Sequence, residues 1–112
     1  MKRPATLQFG LVLGLGLWLL GTAAAEDGIQ ITIKDHRFSP SEVRVKADTK
    51  IKLIVTNDDQ TAEEFESSSL NRERVVRAGQ SITIFLPPLK LGSYDFYGDF
   101  HPDTAQGKII AE

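Results

Sequence analysis

The chain has 112 residues, no cysteine, and a formal net charge of −2 at neutral pH. The missing cysteine excludes disulfides, thiolate metal sites and cysteine nucleophiles. The mildly acidic balance argues against a nucleic-acid partner, because nucleic-acid-binding proteins present a basic patch to the phosphates.

The N-terminal segment has the three-part layout of a secretory signal peptide. Two basic residues near its start precede an apolar run at residues 9–20 and small alanines at residues 23–25. That run is shorter than the roughly 20 residues of a membrane span, and an uncleaved N-terminal anchor is the rival interpretation. We expect residues 1–25 to be removed on export, leaving residues 26–112 as one domain away from the membrane. This domain keeps 15 acidic and 11 basic residues, a net charge of −4.

The remaining chain alternates apolar and polar residues with the period of two that is typical of half-buried β-strands. The clearest such stretches lie at residues 29–33, 43–45, 51–55, 82–86, 94–97 and 108–111. Turn-forming residues separate them, and no strong amphipathic helix appears. The pattern predicts an all-β domain, an antiparallel sandwich or barrel of seven to eight short strands.

The nine-residue segment TAEEFESSS, which starts at Thr61, fits two structures. Its first four residues have the spacing of a helix capping box. As a strand, it would place Glu63 on the face of Phe65 and aim Glu64 and Glu66 the other way. A bulge would change that assignment, so the residues alone leave open which glutamate faces inward.

Histidine occurs twice, each time beside turn residues. His101 lies between Asp99 and Asp103 in the sequence D-F-H-P-D, and His36 follows the first strand in D-H-R-F-S-P. Imidazole and carboxylate groups bind cations when they converge. Taken singly, each histidine is most often a solvated turn residue, and the acidic run around Glu63 is most often a solvated strand edge or helix start. No nucleophile elbow or glycine-rich phosphate loop accompanies them.

Residues 29–110 resemble a cupredoxin. The opening has an F-x-P turn, a V-x-V strand and an apolar strand that ends at Asn57. The ending has an aromatic strand that leads to a histidine and a glycine, where Tyr94, Phe96 and His101 match the family. This resemblance implies a single Greek-key β-sandwich.

The resemblance departs from a blue copper protein at three of the four ligand positions. Gly98 stands where the family has its cysteine, Ala105 where it has methionine, and Glu63 where it has the first histidine. His101 is the ligand that is kept. The resemblance therefore implies a harder site of histidine and carboxylate groups, suited to oxidised copper or iron.

The chain is also similar to the small periplasmic cupredoxin-like proteins of bacterial ferrous-iron uptake operons. This similarity lies in the two histidine loops and in the segments E-E-F-E-S and N-R-E-R-V-V. That similarity implies a periplasmic protein that works with an iron permease or other iron-uptake components. In the implied fold, the first turn, the acidic run and the last loop meet at one end. The implied ligands of a copper or iron ion are His36, Glu63, Glu64, Asp99 and His101. Glu66 and Asp103 are the expected outer groups.

Two other functions stay open at this point. The first is a metal-free interaction module, whose copper site has decayed and whose acidic end docks a basic partner. The second is a component of an Fe(II) oxidase, which requires redox cycling at a site without cysteine. The resemblance favours a metal-binding protein over the first of these, and catalysis stays open.

Overall fold

The computed structural model describes residues 28–112, so the predicted signal peptide and its cleavage point lie outside the described residues. Nine strands and no helix make up this part of the chain. The strands are β1 (Ile29–Lys34), β2 (Arg37–Ser39), β3 (Glu42–Val45), β4 (Ile51–Asn57), β5 (Glu63–Ser67), β6 (Arg72–Val76), β7 (Ser81–Leu86), β8 (Gly92–Tyr97) and β9 (Gln106–Ala111). Over the same range, no helix is long and apolar enough to cross a membrane.

The strands form two sheets that enclose one core. The first has the order β2–β1–β4–β7, and the second has the order β3–β9–β8–β5–β6. The predicted all-β sandwich is confirmed, but the predicted antiparallel pairing holds only in part, since β1 with β4 and β3 with β9 are parallel. Parallel neighbours require a long crossover connection. Here the chain supplies it by crossing to the other sheet before it returns.

Two of the nine strands, β2 and β6, were not among the stretches that the sequence pattern indicated. Arg37–Ser39 forms β2, because the chain reverses within two residues after β1. Asp35 and His36 make this turn with φ angles of 53° and 59°. Left-handed conformations at both positions match the twist of a tight hairpin, and aspartate and histidine adopt them more readily than most residues. Phe38 thereby enters the core directly after the turn.

The segment that fitted either a helix or a strand forms the strand β5. It pairs with β6 along all five residues and with β8 through Glu66 and Tyr97. The capping-box helix is therefore wrong, because the backbone groups of the segment bond to neighbouring strands. Glu63 lies with Phe65 on the face toward the core, and Glu64 and Glu66 lie on the opposite face, as strand alternation requires.

Three phenylalanine rings pack together at one end of the core. Phe65 and Phe96 stack with their ring centroids 4.9 Å apart. Phe38 meets both rings edge-on, at centroid distances of 6.1 Å and 4.9 Å. Aromatic pairs in these geometries stabilise a core beyond their buried area. The rings come from β2, β5 and β8, so they fix these three strands relative to one another.

Candidate metal centre

Three of the predicted ligands meet at one end of the sandwich. His36, Glu63 and His101 each offer a ligand atom, and these atoms lie within 4.8 Å of one another. Nδ1 of His36 lies 2.6 Å from Oε2 of Glu63, and Nδ1 of His101 lies 3.1 Å from Oε1. Each carboxylate oxygen therefore faces one imidazole. We call these three residues the His/Glu cluster.

The core phenylalanines explain how distant parts of the chain assemble the His/Glu cluster. His36 and Glu63 each precede one of these rings by two residues, and His101 follows the third ring by five. Glu63 and Phe65 lie two apart in β5 and therefore share a face, while His36 and His101 lie in the turn and the loop next to the strands that carry the other two rings. Packing of the three rings therefore carries the three site residues toward the same place.

Backbone hydrogen bonds hold the loop that carries His101. The N–H of His101 donates to the carbonyl of Gly98 at 3.0 Å. The carbonyl of His101 accepts from the N–H groups of Thr104 and Ala105, at 3.2 Å and 2.9 Å. Gly98 and Ala105 close the loop, because the N–H of Gly98 donates to the carbonyl of Ala105 at 2.9 Å. His101 thus occupies a defined turn, with its ring stacked on that of His36 at a centroid distance of 3.5 Å.

Glu63 is the buried charge of the cluster. Its side chain is 1% exposed, whereas both imidazoles remain partly exposed. Within residues 28–112, the ion pairs of this carboxylate are with the two histidines, and no lysine or arginine reaches it. A buried carboxylate remains charged only when a positive group or hydrogen bonds compensate it. The arrangement suits a cation bound between the imidazoles and Glu63.

Asp59 borders the His/Glu cluster and was not among the predicted ligands. Its carboxylate accepts hydrogen bonds from the backbone N–H groups of Asp35 and His36, at 2.6 Å and 2.9 Å. Burial acts to raise the pKa of Asp59, but the hydrogen bonds from these backbone N–H groups, together with the charge of His36, leave it lowered. In the sequence, N-D-D-Q indicates only a polar turn, which gives no sign of its distant partners.

The other two predicted ligands belong to a second group, on the opposite face of β5. Glu64, Glu66 and Asp99 offer carboxylate oxygens within 4.8 Å of one another. The N–H of Asp99 donates to Oε1 of Glu64 at 3.2 Å, and the hydroxyl of Tyr97 donates to Oε2 of Glu66 at 2.9 Å. Glu64 is only 6% exposed. This burial, together with the neighbouring Glu66, raises the pKa of Glu64 to about 7. The five predicted ligands are thus divided between two groups, and the exposed Asp103 belongs to neither of them.

The positions that correspond to the cysteine and methionine of a blue copper site leave no space for a thiolate. Gly98 and Ala105 are both buried. A Cβ atom placed on Gly98 would lie 2.9 Å from Cβ of Ala105 and 2.9 Å from the carbonyl oxygen of Glu64. These contacts are shorter than packed carbon and oxygen atoms tolerate. The residues present therefore do not fit a blue copper centre.

The His/Glu cluster fits a harder ion. Two imidazole nitrogens and one carboxylate are donors that copper(II), iron and zinc accept. Adjacent ligands of an ion bound at about 2.0–2.2 Å lie roughly 2.8–3.6 Å apart, so the 3.1 Å distance fits such an ion and the 2.6 Å contact would open by a few tenths of an ångström. The exposed sides of the imidazoles leave a route for the ion from solvent.

One curated relative shares a large part of this sequence. It is the uncharacterized protein RP394 of Rickettsia prowazekii (strain Madrid E), which is 57% identical over 82 residues. The aligned region covers 73% of this chain and 66% of that protein. The chain thus spans about two thirds of the length of this relative.

Several solved structures share the fold. Auracyanin A, a "blue" copper protein from Chloroflexus aurantiacus, has a TM-score of 0.66 at 12% identity, covering 76% of this chain and 98% of its own. Amicyanin from Paracoccus versutus has a TM-score of 0.61 at 20% identity, covering 77% and 82%. A purple cupredoxin from Nitrosopumilus maritimus has a TM-score of 0.57 at 20% identity, covering 74% and 98%.

These structural likenesses, at such low identities, establish the fold and nothing about the metal. The family assignment comes from the sequence itself. Residues 9–111 match the pattern of the cupredoxin-like domain, and the nine-stranded sandwich agrees with that match. The chain therefore belongs to the cupredoxin-like domain family.

Proposed function

We propose that this protein binds a copper or iron ion through His36, Glu63 and His101. The observation that carries the proposal is the buried Glu63 carboxylate, whose two oxygens face two imidazole nitrogens. Glu63 offsets the charge of the cation, and the two histidines supply neutral nitrogen donors. A bound ion would add a Lewis-acidic or redox-active centre at the end of the sandwich.

We infer a role in periplasmic ferrous-iron uptake for this metal site. Support comes from the predicted signal peptide and from the resemblance of the acidic run and the histidine loops to proteins of iron-uptake operons. The expected partners are the metal ion and an iron permease or other periplasmic uptake components. Without a thiolate, the site is better suited to capturing and passing on an ion than to rapid electron transfer.

Calorimetric titration with Cu(II), Fe(II) and Zn(II) tests the proposal on protein purified from the periplasm and stripped with a chelator. We expect His101→Ala to weaken binding of the preferred ion by about 100-fold or more, because loss of a direct ligand should exceed the roughly 10–100-fold effect of losing a supporting group. Asp103→Asn is the matched control in the same loop and should bind like the wild type. Equal affinities of the wild type and His101→Ala for all three ions would refute the site and favour a metal-free interaction module.

Binding should also depend on pH. A histidine nitrogen must lose its proton before it can coordinate a metal, and imidazoles change charge between about pH 5 and 8. We therefore expect Cu(II) to bind more tightly at pH 7.5 than at pH 5. Equal affinity at the two pH values would argue against a site with two histidine ligands.

A crystal structure soaked in Cu(II), combined with anomalous scattering, would locate the ion directly. The proposal places it between the two imidazoles and Glu63. A single ion bound instead among Glu64, Glu66 and Asp99 would contradict this assignment. Metal analysis of freshly purified protein would then distinguish copper from iron as the resident ion.

A further inference from the structure

We propose that Asp59 is a positioning residue, which holds the turn that presents His36 to the metal site. This inference rests on the proposed function of the His/Glu cluster. The Asp59 side chain is 8% exposed, and its two oxygens accept the backbone N–H groups of Asp35 and His36. One carboxylate thus accepts hydrogen bonds from both central residues of the β1–β2 turn.

The turn needs this support because both of its residues are left-handed. Asp35 and His36 have φ angles of 53° and 59°, and neither is glycine. Such conformations are disfavoured for residues with a Cβ atom and persist where the surroundings hold them in place. Hydrogen bonds from two N–H groups to one charged carboxylate are stronger than those between neutral groups. Asp59 is therefore well placed to stabilise the backbone that aims His36.

Asp59 is itself anchored by a buried side chain. The N–H of Asp59 donates to Oδ1 of Asn57 at 2.8 Å. The amide nitrogen of Asn57, a fully buried residue, donates to the carbonyls of Thr61 and Val76 at 2.8 Å and 2.9 Å. Val76 is the strand partner of Glu63. Asn57 therefore fixes the loop that carries Asp59 relative to the strand that carries Glu63.

The contacts favour support of the turn over metal ligation by Asp59. Both of its oxygens are already engaged by backbone N–H groups. The distance from Oδ2 to Nδ1 of His36 is 3.6 Å, which is longer than a hydrogen bond. Nδ1 of His36 lies 1 Å closer to Glu63, at 2.6 Å. The carboxylate of Asp59 thus acts on the backbone of His36, and that of Glu63 acts on its ring.

A rescue experiment separates these two roles. We expect Asp59→Ala to weaken Cu(II) binding by about 10-fold or more, the effect of losing a group that orients a ligand. Glycine adopts left-handed conformations without a Cβ penalty, so adding Asp35→Gly should restore most of the lost affinity. A directly coordinating Asp59 could not be replaced in this way. Failure of Asp35→Gly to restore binding would overturn the positioning role.

A metal-free measurement keeps this inference separable from the proposed function. In the chelator-treated protein, NMR should show the contact between the His36 and His101 rings weakened in Asp59→Ala and regained in the double variant. Asp58→Asn, at the exposed neighbouring position, is the control and should leave the contact unchanged. Asp59→Asn keeps one acceptor oxygen, so it should give an intermediate result if the alanine variant unfolds.

The outcomes are distinct. If the wild-type protein binds no metal, the proposed function fails, and the NMR contact still decides whether Asp59 holds the turn. If the wild type binds metal while Asp59→Ala retains both full affinity and the ring contact, the positioning role is overturned and the proposed function stands.

Discussion

Gly98 and Ala105 are small because the backbone around them leaves no room for larger side chains. The N–H of Gly98 donates to the carbonyl of Ala105, so the two residues are held face to face. A Cβ atom on Gly98 would also meet the backbone of β5 at Glu64. The small residues at these two positions let the loop and β5 approach closely, and this packing leaves no room for a thiolate.

Restoring the cysteine should accordingly fail to restore a blue copper site. We expect Gly98→Cys to destabilise the fold by about 1–3 kcal/mol, the usual effect of overpacking a core, and to give no intense blue absorption with Cu(II). Urea unfolding and visible spectroscopy measure the two effects. Ser93→Cys, at an exposed position of β8, the strand before Gly98, is the control for adding a thiol.

A second variant tests the cause of that destabilisation. Ala105→Gly removes one of the two close contacts, so the Gly98→Cys/Ala105→Gly protein should recover only part of the lost stability. The contact with the backbone oxygen of Glu64 remains. A single Gly98→Cys variant that is as stable as the wild type and turns blue would show that this interpretation is wrong.

At the scale of one element, the carboxylates of β5 lie on its two opposite faces. Glu63 faces the histidines, while its neighbour Glu64 faces Glu66 and Asp99 across the other side of the sheet. A shift of one residue in a strand exchanges the two faces completely. The sequence offered this alternation as one of several possibilities, and only the continuous pairing with β6 excluded the helix and a bulge against that strand.

Two isosteric substitutions test the assignment of these faces. Glu63→Gln should weaken Cu(II) binding by about 100-fold, because it removes the anionic ligand, while Glu64→Gln should remain within about 3-fold of the wild type. Metal-free Glu63→Gln should stay folded, since the amide has nearly the shape of the carboxylate and removes a buried charge instead of adding one. Calorimetry with Cu(II) provides the comparison. A larger loss in Glu64→Gln than in Glu63→Gln would reverse the assignment.

At the scale of the whole molecule, buried acids link the stability of the fold to pH. Glu64 is nearly buried beside Glu66, and its pKa is raised to about 7 from an ordinary value near 4.5. At a pH below 4.5, the Glu64 carboxyl is protonated in both the folded and the unfolded state. As pH rises between these two pKa values, the unfolded chain ionises first, so the contribution of Glu64 to stability is progressively lost.

We therefore expect Glu64→Gln to gain stability relative to the wild type between pH 4.5 and pH 7.5. The amide mimics the protonated acid, and the gain should be on the order of 3 kcal/mol. Urea unfolding of both proteins without metal, across this pH range, measures the difference. Glu42→Gln changes an exposed acid that pairs with Arg44 and should show little pH-dependent difference. A difference between Glu64→Gln and the wild type that does not change with pH would contradict the raised pKa.

The sequence by itself determined the all-β class, the alternation of apolar and polar residues along the strands, and the histidine and carboxylate groups that are available as metal ligands. These properties are local, because a period of two and the absence of cysteine can be recognised without knowing which strands pair. It also carried the family resemblance, including the residues that stand at the former ligand positions.

Only the tertiary structure decided which donors meet. His36, Glu63 and His101 lie in separate loops and strands, and their distances depend on crossovers between sheets and on the packing of three phenylalanine rings. For the same reason, no local pattern indicated that Asp59 holds the turn of His36 or that the thiolate position is closed. Contacts between residues far apart in the chain are set by strand pairing and packing, which the period of a single strand does not contain.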